Sequence, residues 1–334
     1  MGEARWRLAR ATYRFKRTVW RHPKFSPLDP FKQIAKMGRG VNILGYDPMW
    51  DLYRPLRFRE RHFKLIRDAG FQTVRVNLQA FRHMDDEDRL SAKWFRALDW
   101  IVGTALDHDL HVILDQHDFK ACDRDLDAFR RKLRAFWTQI AGRYKNAPNS
   151  LIFELLNEPN SKVTPEVWNA LLEELLQIVR QTNPSRNIVI GPAGWNTFDY
   201  LDQLRLPSGD RNIIVTVHYY LPMDFTHQGA FWNPTTAGLS DVTWGIEEEK
   251  RRVADDFNRV QQWAARENRP VLLGEFGAYG AGPMDSRVCY TSHVARTAER
   301  LCWAWTYWQF DSNFVLWDMD RDAWVQPILK ALVP

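Results

Sequence analysis

The chain has 334 residues, 45% of them hydrophobic and 26% charged, with a formal net charge of +5. These proportions belong to a folded globular chain and exclude disordered and fibrous classes. No apolar run reaches the roughly 18 residues of a membrane-spanning helix, and Cys122, Cys289 and Cys302 are scattered without CxxC spacing, which disfavours a disulfide framework or a zinc site.

The basic excess is a local property. Residues 1–25 hold eight Lys or Arg against Glu3 alone, so the remainder is slightly acidic and gives no reason to expect nucleic acid as a partner. Trp6, Tyr13 and Trp20 recur every seven residues in this stretch, so a helix here is basic and partly amphipathic. Such an arm can pack on the body, act as a targeting segment or touch an anionic membrane surface. It lacks the continuous apolar core of a secretory signal. As written, the chain therefore reads as cytoplasmic, or as extracellular or periplasmic by another export route. The expected organisation is a basic N-terminal arm over 1–37 and one main domain over 38–334, acting as a monomer.

In chain order, the apolar β-rich runs begin with GVNILG (40–45), TVRVNL (73–78), HVILDQH (111–117) and SLIFELLNE (150–158). NIVIGP (187–192), NIIVTVHYY (212–220), PVLLGEFG (270–277) and WAWTYWQF (303–310) follow. Helix-period segments fall between most of them, at 59–69, 91–108, 125–145, 165–183, 246–268 and 285–300, and a closing helix is expected over 324–332. Thr164-Pro165 marks a helix start, an N-cap followed by Pro at the first helical position. The stretch 198–205 is short for a helix. Eight strands alternating with helices imply right-handed crossovers and a parallel sheet. The α/β class and this length fit a closed (β/α)8 TIM barrel. A doubly wound open sheet is the alternative, but no GxGxxG or GxxxxGK follows the first strand.

Active sites of such barrels lie at the carboxyl ends of the strands. There the sequence places Arg75 and Asn77, then Asp115, His117 and Asp118, then Asn157-Glu158, His218 and Tyr220, Glu275, and Trp308. Two glutamates on strands four and seven, surrounded by Arg, His and Tyr, suit glycoside hydrolysis, which needs one protonated and one ionised carboxyl group. His117 and His218 lack the spacing of a metal motif, and no GxSxG elbow is present. Glu154, inside the fourth strand, reads as a buried strut paired with a cation such as Arg75. Sixteen tryptophans are available as flat, half-apolar surfaces for sugar rings. The candidates are Trp50, Trp195, Trp232, Trp244 and Trp308, with the loop 221–245 as a binding platform.

These residues, in this order, resemble glycoside hydrolase family 5, specifically its endoglucanase-like branch. The match is carried by Arg75 in TVRVN, His117 in ILDQH, Asn157-Glu158 in LLNEP, His218 and Tyr220 in VHYY, Glu275 in LLGEFG and Trp308 in TYWQF. The resemblance implies that Glu158 is the acid/base and Glu275 the nucleophile of a retaining hydrolase. It further implies that Asn157 contacts the sugar 2-OH and that Arg75 and Tyr220 orient Glu275. His218 is then placed beside Glu158, His117 in the glycone subsite and Trp308 beneath it. No cofactor and no metal are implied. The stretch HYYLPMDFTHQGAFW is similar to a segment of endoglucanases that cleave β-1,4-glucan, some of them mannan as well. The expected partner is thus a β-glucan chain or oligosaccharide. The alternatives are a β-mannanase, a β-1,3- or mixed-linkage glucanase, or a carbohydrate-binding pseudoenzyme. Asp118 departs from family members that carry His or Asn after the strand-three histidine.

Overall fold

The computed structural model describes residues 24–45, 47–50 and 57–334. The basic stripe expected over Trp6 to Trp20 lies outside the described residues. Eight parallel strands close into a barrel in sequential order. They are β1 Arg39–Ile43, β2 Thr73–Leu78, β3 His111–Gln116, β4 Leu151–Glu154, β5 Ile188–Ile190, β6 Ile213–Tyr219, β7 Val271–Phe276 and β8 Ala304–Tyr307. A closed parallel sheet covered by helices buries both strand faces, which explains why these segments read as nearly unbroken apolar runs. Helices α2 Glu60–Asp68, α3 Ala92–Asp107, α4 Leu126–Arg143, α5 Pro165–Arg180, α7 Glu247–Glu267, α8 Met284–Arg300 and α9 Gln326–Leu332 match the expected segments within a few residues. The fifth crossover carries only a 3-10 turn, Phe198–Gln203. Among the described residues, no helix is long and apolar enough to cross a membrane.

Within the stretch expected as an arm, Pro30–Met37 forms helix α1. Its signals are local: Asp29 caps the Lys32 N–H at 3.0 Å, Pro30 opens the first turn, and Gly38 at φ 49° ends it. Its buried Ile34 and Met37 cluster with Ile113, Ile152, Val189, Ile214, Leu272 and Ala304 from six strands. α1 thus closes the floor of the barrel.

The fourth strand is shorter than its sequence suggests. Its register pairs end at Glu154, although the Asn157 N–H still donates to the Gln116 carbonyl at 2.9 Å, so Glu154 and Glu158 are not two pleats of one regular strand. Pro159 lacks the N–H a ladder needs, and Glu158 at φ 45° has already left extended geometry. A short helix, α6 Met223–Thr226, opens the loop after β6.

Candidate active site

The site is built on a change of lining inside the barrel. Register places Arg75 beside Ile113 and Ile113 beside Ile152, and two residues on, Asn77 beside Asp115 and Asp115 beside Glu154. Residues two apart share a face. One pleat above the aliphatic floor, the interior therefore becomes charged.

Arg75 is fully buried, and all five of its N–H groups find acceptors. Nε and Nη2 grip the two oxygens of Glu154 at 2.7 and 2.8 Å. Nη2 also donates to Asn157 Oδ1, and Nη1 donates to Asn42 Oδ1 and Glu275 Oε1, each at 2.8 Å. Asp115 Oδ2 lies 3.2 Å away and accepts from Asn77 at 3.0 Å. Burial opposes the charge on Arg75, but Asp115 and Glu154 outweigh it and raise its pKa further.

Glu158 reaches the rim through a strained turn. A left-handed φ is uncommon for a residue with a Cβ, and such strain concentrates at functional positions. The turn is pinned by Asn160 Nδ2, which donates to the Glu158 carbonyl at 2.6 Å, and by the Trp195 N–H, which donates to the Pro159 carbonyl at 3.2 Å. Burial pushes the Glu158 carboxyl up to about 7, against the pull of His117 and Arg75.

Glu275 owes its direction to a bulge. Strand register shifts between Val217 and His218, so that Val217 faces Leu273 but His218 faces Glu275. Gly274 is the residue passed over; a Cβ there would lie 2.5 Å from Thr216 Oγ1 and 2.9 Å from His218 Nε2. Leu272 points into the floor, so strict alternation would turn Glu275 outward; the bulge re-aims it inward. Tyr220 donates its hydroxyl to Glu275 Oε2 at 3.0 Å. Burial raises the Tyr220 pKa, which keeps that hydroxyl protonated as a donor.

Between the two glutamates stands His218, with Nδ1 at 2.8 Å from Glu158 Oε1 and 3.7 Å from Glu275 Oε2. Burial lowers its pKa to about 4, so the ring is neutral near pH 7. One oxygen each of Glu158 and Glu275 and one His218 nitrogen lie within 4.8 Å of one another. These three are also the one group of metal-ligand type at that spacing among the described residues. Glu275 among them accepts hydrogen bonds from Arg75 and Tyr220. His117 meets Asp115 at 2.6 Å; burial opposes its charge, yet Asp115 raises its pKa. Its ring stacks on Trp308 at 5.6 Å and 10°.

The sequence model of Cellulase (glycosyl hydrolase family 5) matches residues 35–314. The chain belongs to glycosyl hydrolase family 5. Among relatives of this family 5 chain, Endoglucanase H of Acetivibrio thermocellus is 28% identical over 325 residues, 93% of this chain. The chain spans only 34% of that protein's length. Clostridial cellulose synthase subunit Z from Clostridioides difficile has a TM-score of 0.84 at 35% identity, over 90% of this chain and 100% of that one. Thermotoga maritima Cel5A, solved in complex with mannotriose and with cellobiose, gives 0.87 at 34% identity, over 91% and 100%.

The fold gathers most of the expected site. Arg75, Asn157, Tyr220 and Glu275 form one hydrogen-bonded group, the Glu158–His218 pair adjoins it with His218 Nδ1 3.7 Å from Glu275, and His117 and Trp308 stack on each other beside them. Trp195 (49% exposed) and Trp232 (41% exposed) stand open to solvent on the loops after β5 and β6. Trp50 and Trp244, expected as sugar platforms, are packing residues instead. Trp50 is buried, stacks on Trp94 and donates its indole N–H to the Leu44 carbonyl at 2.9 Å. Trp244 is buried against Phe225, Tyr290 and His293. Several participants were absent from the expected set. Asn42, which accepts from Arg75 and donates to the Gly274 carbonyl, interrupts the apolar run of β1 and was visible by the same rule as Asn77. Phe119, edge-on to both His117 and Trp195, and Phe314, beside Tyr220 and Trp232, carry no local signal.

Proposed function

We propose that the chain is a retaining endo-β-1,4-glucanase. The observation that carries this reading is the facing pair Glu158 and Glu275, with carboxylate oxygens within 4.8 Å and unlike surroundings. Carboxyl groups of retaining glycosidases stand about 5–5.5 Å apart, whereas inverting ones leave room for a water at roughly 6.5–9.5 Å. Glu158, raised to about 7 by burial, holds a proton over the acid range and delivers it to the glycosidic oxygen. Glu275, held by Arg75 and Tyr220, attacks the anomeric carbon as the C–O bond to the leaving sugar breaks. The product is a glycosyl ester on Glu275. Glu158, now ionised, takes a proton from water, and that water displaces Glu275 with a second inversion. Asn157 has its Oδ1 occupied by Arg75, which leaves its amide N–H groups as the donors for the sugar 2-OH. Trp308 and His117 line the glycone side, and the exposed Trp195 and Trp232 offer faces to a chain running past the rim.

The glucan preference draws support from relatives named as endoglucanases and from the Thermotoga structure with cellobiose. The companion structure with mannotriose favours β-mannan cleavage by the same site as the second reading. The test is hydrolysis of a soluble cellulose derivative, mixed-linkage glucan, glucomannan, galactomannan and laminarin, by the protein and by Glu275→Gln. The expected result is β-1,4-glucan cleavage at least ~10³-fold above the variant, the β-anomer appearing first by NMR. The rate should fall as pH rises through about 7, where Glu158 loses its proton. Equal rates for the two proteins, or inverted product, would overturn the mechanism.

A further inference from the structure

Glu154 is fully buried one pleat below the rim, and the reaction as written gives it no part. Yet it takes more of Arg75 than Glu275 does: two of the five guanidinium N–H groups, against one. Its other charged surroundings are Asp115, its register partner on β3, and beyond that His117. Glu275 on β7 faces it through the shared cation, and Glu158 lies four residues on. One guanidinium therefore faces three carboxylates, Asp115, Glu154 and Glu275. With every donor of Arg75 committed and both carboxylates buried, a charge added at Glu154 is felt at Glu275 through this cation.

We propose that Glu154 is a positioning residue for the reaction. It fixes the guanidinium plane so that Nη1 meets Glu275 and Nη2 meets Asn157, and its own charge sets how much of Arg75 is left for Glu275. The proposal builds on Glu275 as the nucleophile. Burial raises Glu154 to about 7 against the pull of Arg75, with Asp115 and Glu275 adding to the rise. The strut thus changes charge within the working pH range. Below that point Glu154 carries a proton and Arg75 is shared by fewer anions; above it the competition returns.

Two measurements test this. In Glu154→Gln the side chain keeps its size but offers one acceptor oxygen where Glu154 offers two, so the guanidinium loses its fixed plane and kcat of the folded protein should fall ~10-fold with KM near the parent value. A strut without this role would lower the melting temperature and leave kcat in place; a kcat within ~2-fold of the parent overturns the proposal. The second measurement does not touch Glu154. With carbon-13-labelled glutamate, its carboxyl titration is followed by NMR in the parent protein and in Glu275→Gln. Coupling is reciprocal, so removing the Glu275 charge should lower the Glu154 midpoint by at least ~0.5 unit. Equal midpoints overturn the proposal even if Glu154→Gln does not fold. This readout needs no activity, so a chain inactive on every glycan would sink the glucanase reading while the coupling result still stood or fell separately.

Discussion

In the lower barrel, Ile113, Ile152, Val189, Ile214, Leu272 and Ala304 meet Ile34 and Met37 of α1 in an aliphatic plug. One pleat above Ile113 and Ile152 stand Asp115 and Glu154, closed around Arg75. Both layers are buried, yet they are held by different physics. Aliphatic packing is non-directional and tolerates volume-conserving exchange. The charged layer has to be satisfied group by group, because a buried ion without its partner costs more than the pair contributes. The floor can therefore supply stability while the layer above supplies orientation.

Arg75→Met separates the two most sharply. It leaves Asp115, Glu154 and Glu275 facing one another without a cation, so stability should fall by about 3–5 kcal/mol in denaturant titration, with glucan hydrolysis lost. A folded, active variant would mean the carboxylates share protons well enough without Arg75. The complementary change is Met37→Ala in the plug. It should cost about 2–3 kcal/mol through transfer and cavity while kcat/KM of the folded protein stays at the parent value. A fall in kcat/KM would show that floor and rim are mechanically coupled.

The same contrast decides what could be read from the sequence. The strand order was legible, because buried parallel strands print short continuous apolar runs whose length and alternation with helix-period segments identify them, whereas α1, which completes the floor, lay inside the stretch expected as an arm. Polar residues at strand ends were legible for the converse reason: Arg75, Asn157, Glu158, His218 and Glu275 break those runs. The expected pairing of Glu154 with Arg75 also appears in the structure. The direction of Glu275 was not legible, since it depends on a bulge at Gly274 that only the fit of Thr216 and His218 explains. Nor could tryptophans be sorted by sequence. Trp50 and Trp195 both follow strands, but one is buried against Trp94 and the other is 49% exposed. That difference is tertiary.

Trp195 gives the smallest of the expected effects and tests the rim alone. Its indole is exposed and edge-on to Phe119, which itself meets His117, so the open indole stands one ring removed from His117. Trp195→Ala keeps a Cβ, so the left-handed backbone at φ 64° is burdened equally in both proteins. The backbone N–H to the Pro159 carbonyl is also retained, leaving the Glu158 turn pinned. What is lost is a stacking surface worth about 0.5–1.5 kcal/mol, equivalent to roughly 2- to 10-fold in KM for a soluble glucan, with kcat and melting temperature nearly unchanged. A fall in kcat at constant KM would count against Trp195 as a platform. It would mean that the indole helps place Glu158, and that rim and charged layer work as one unit.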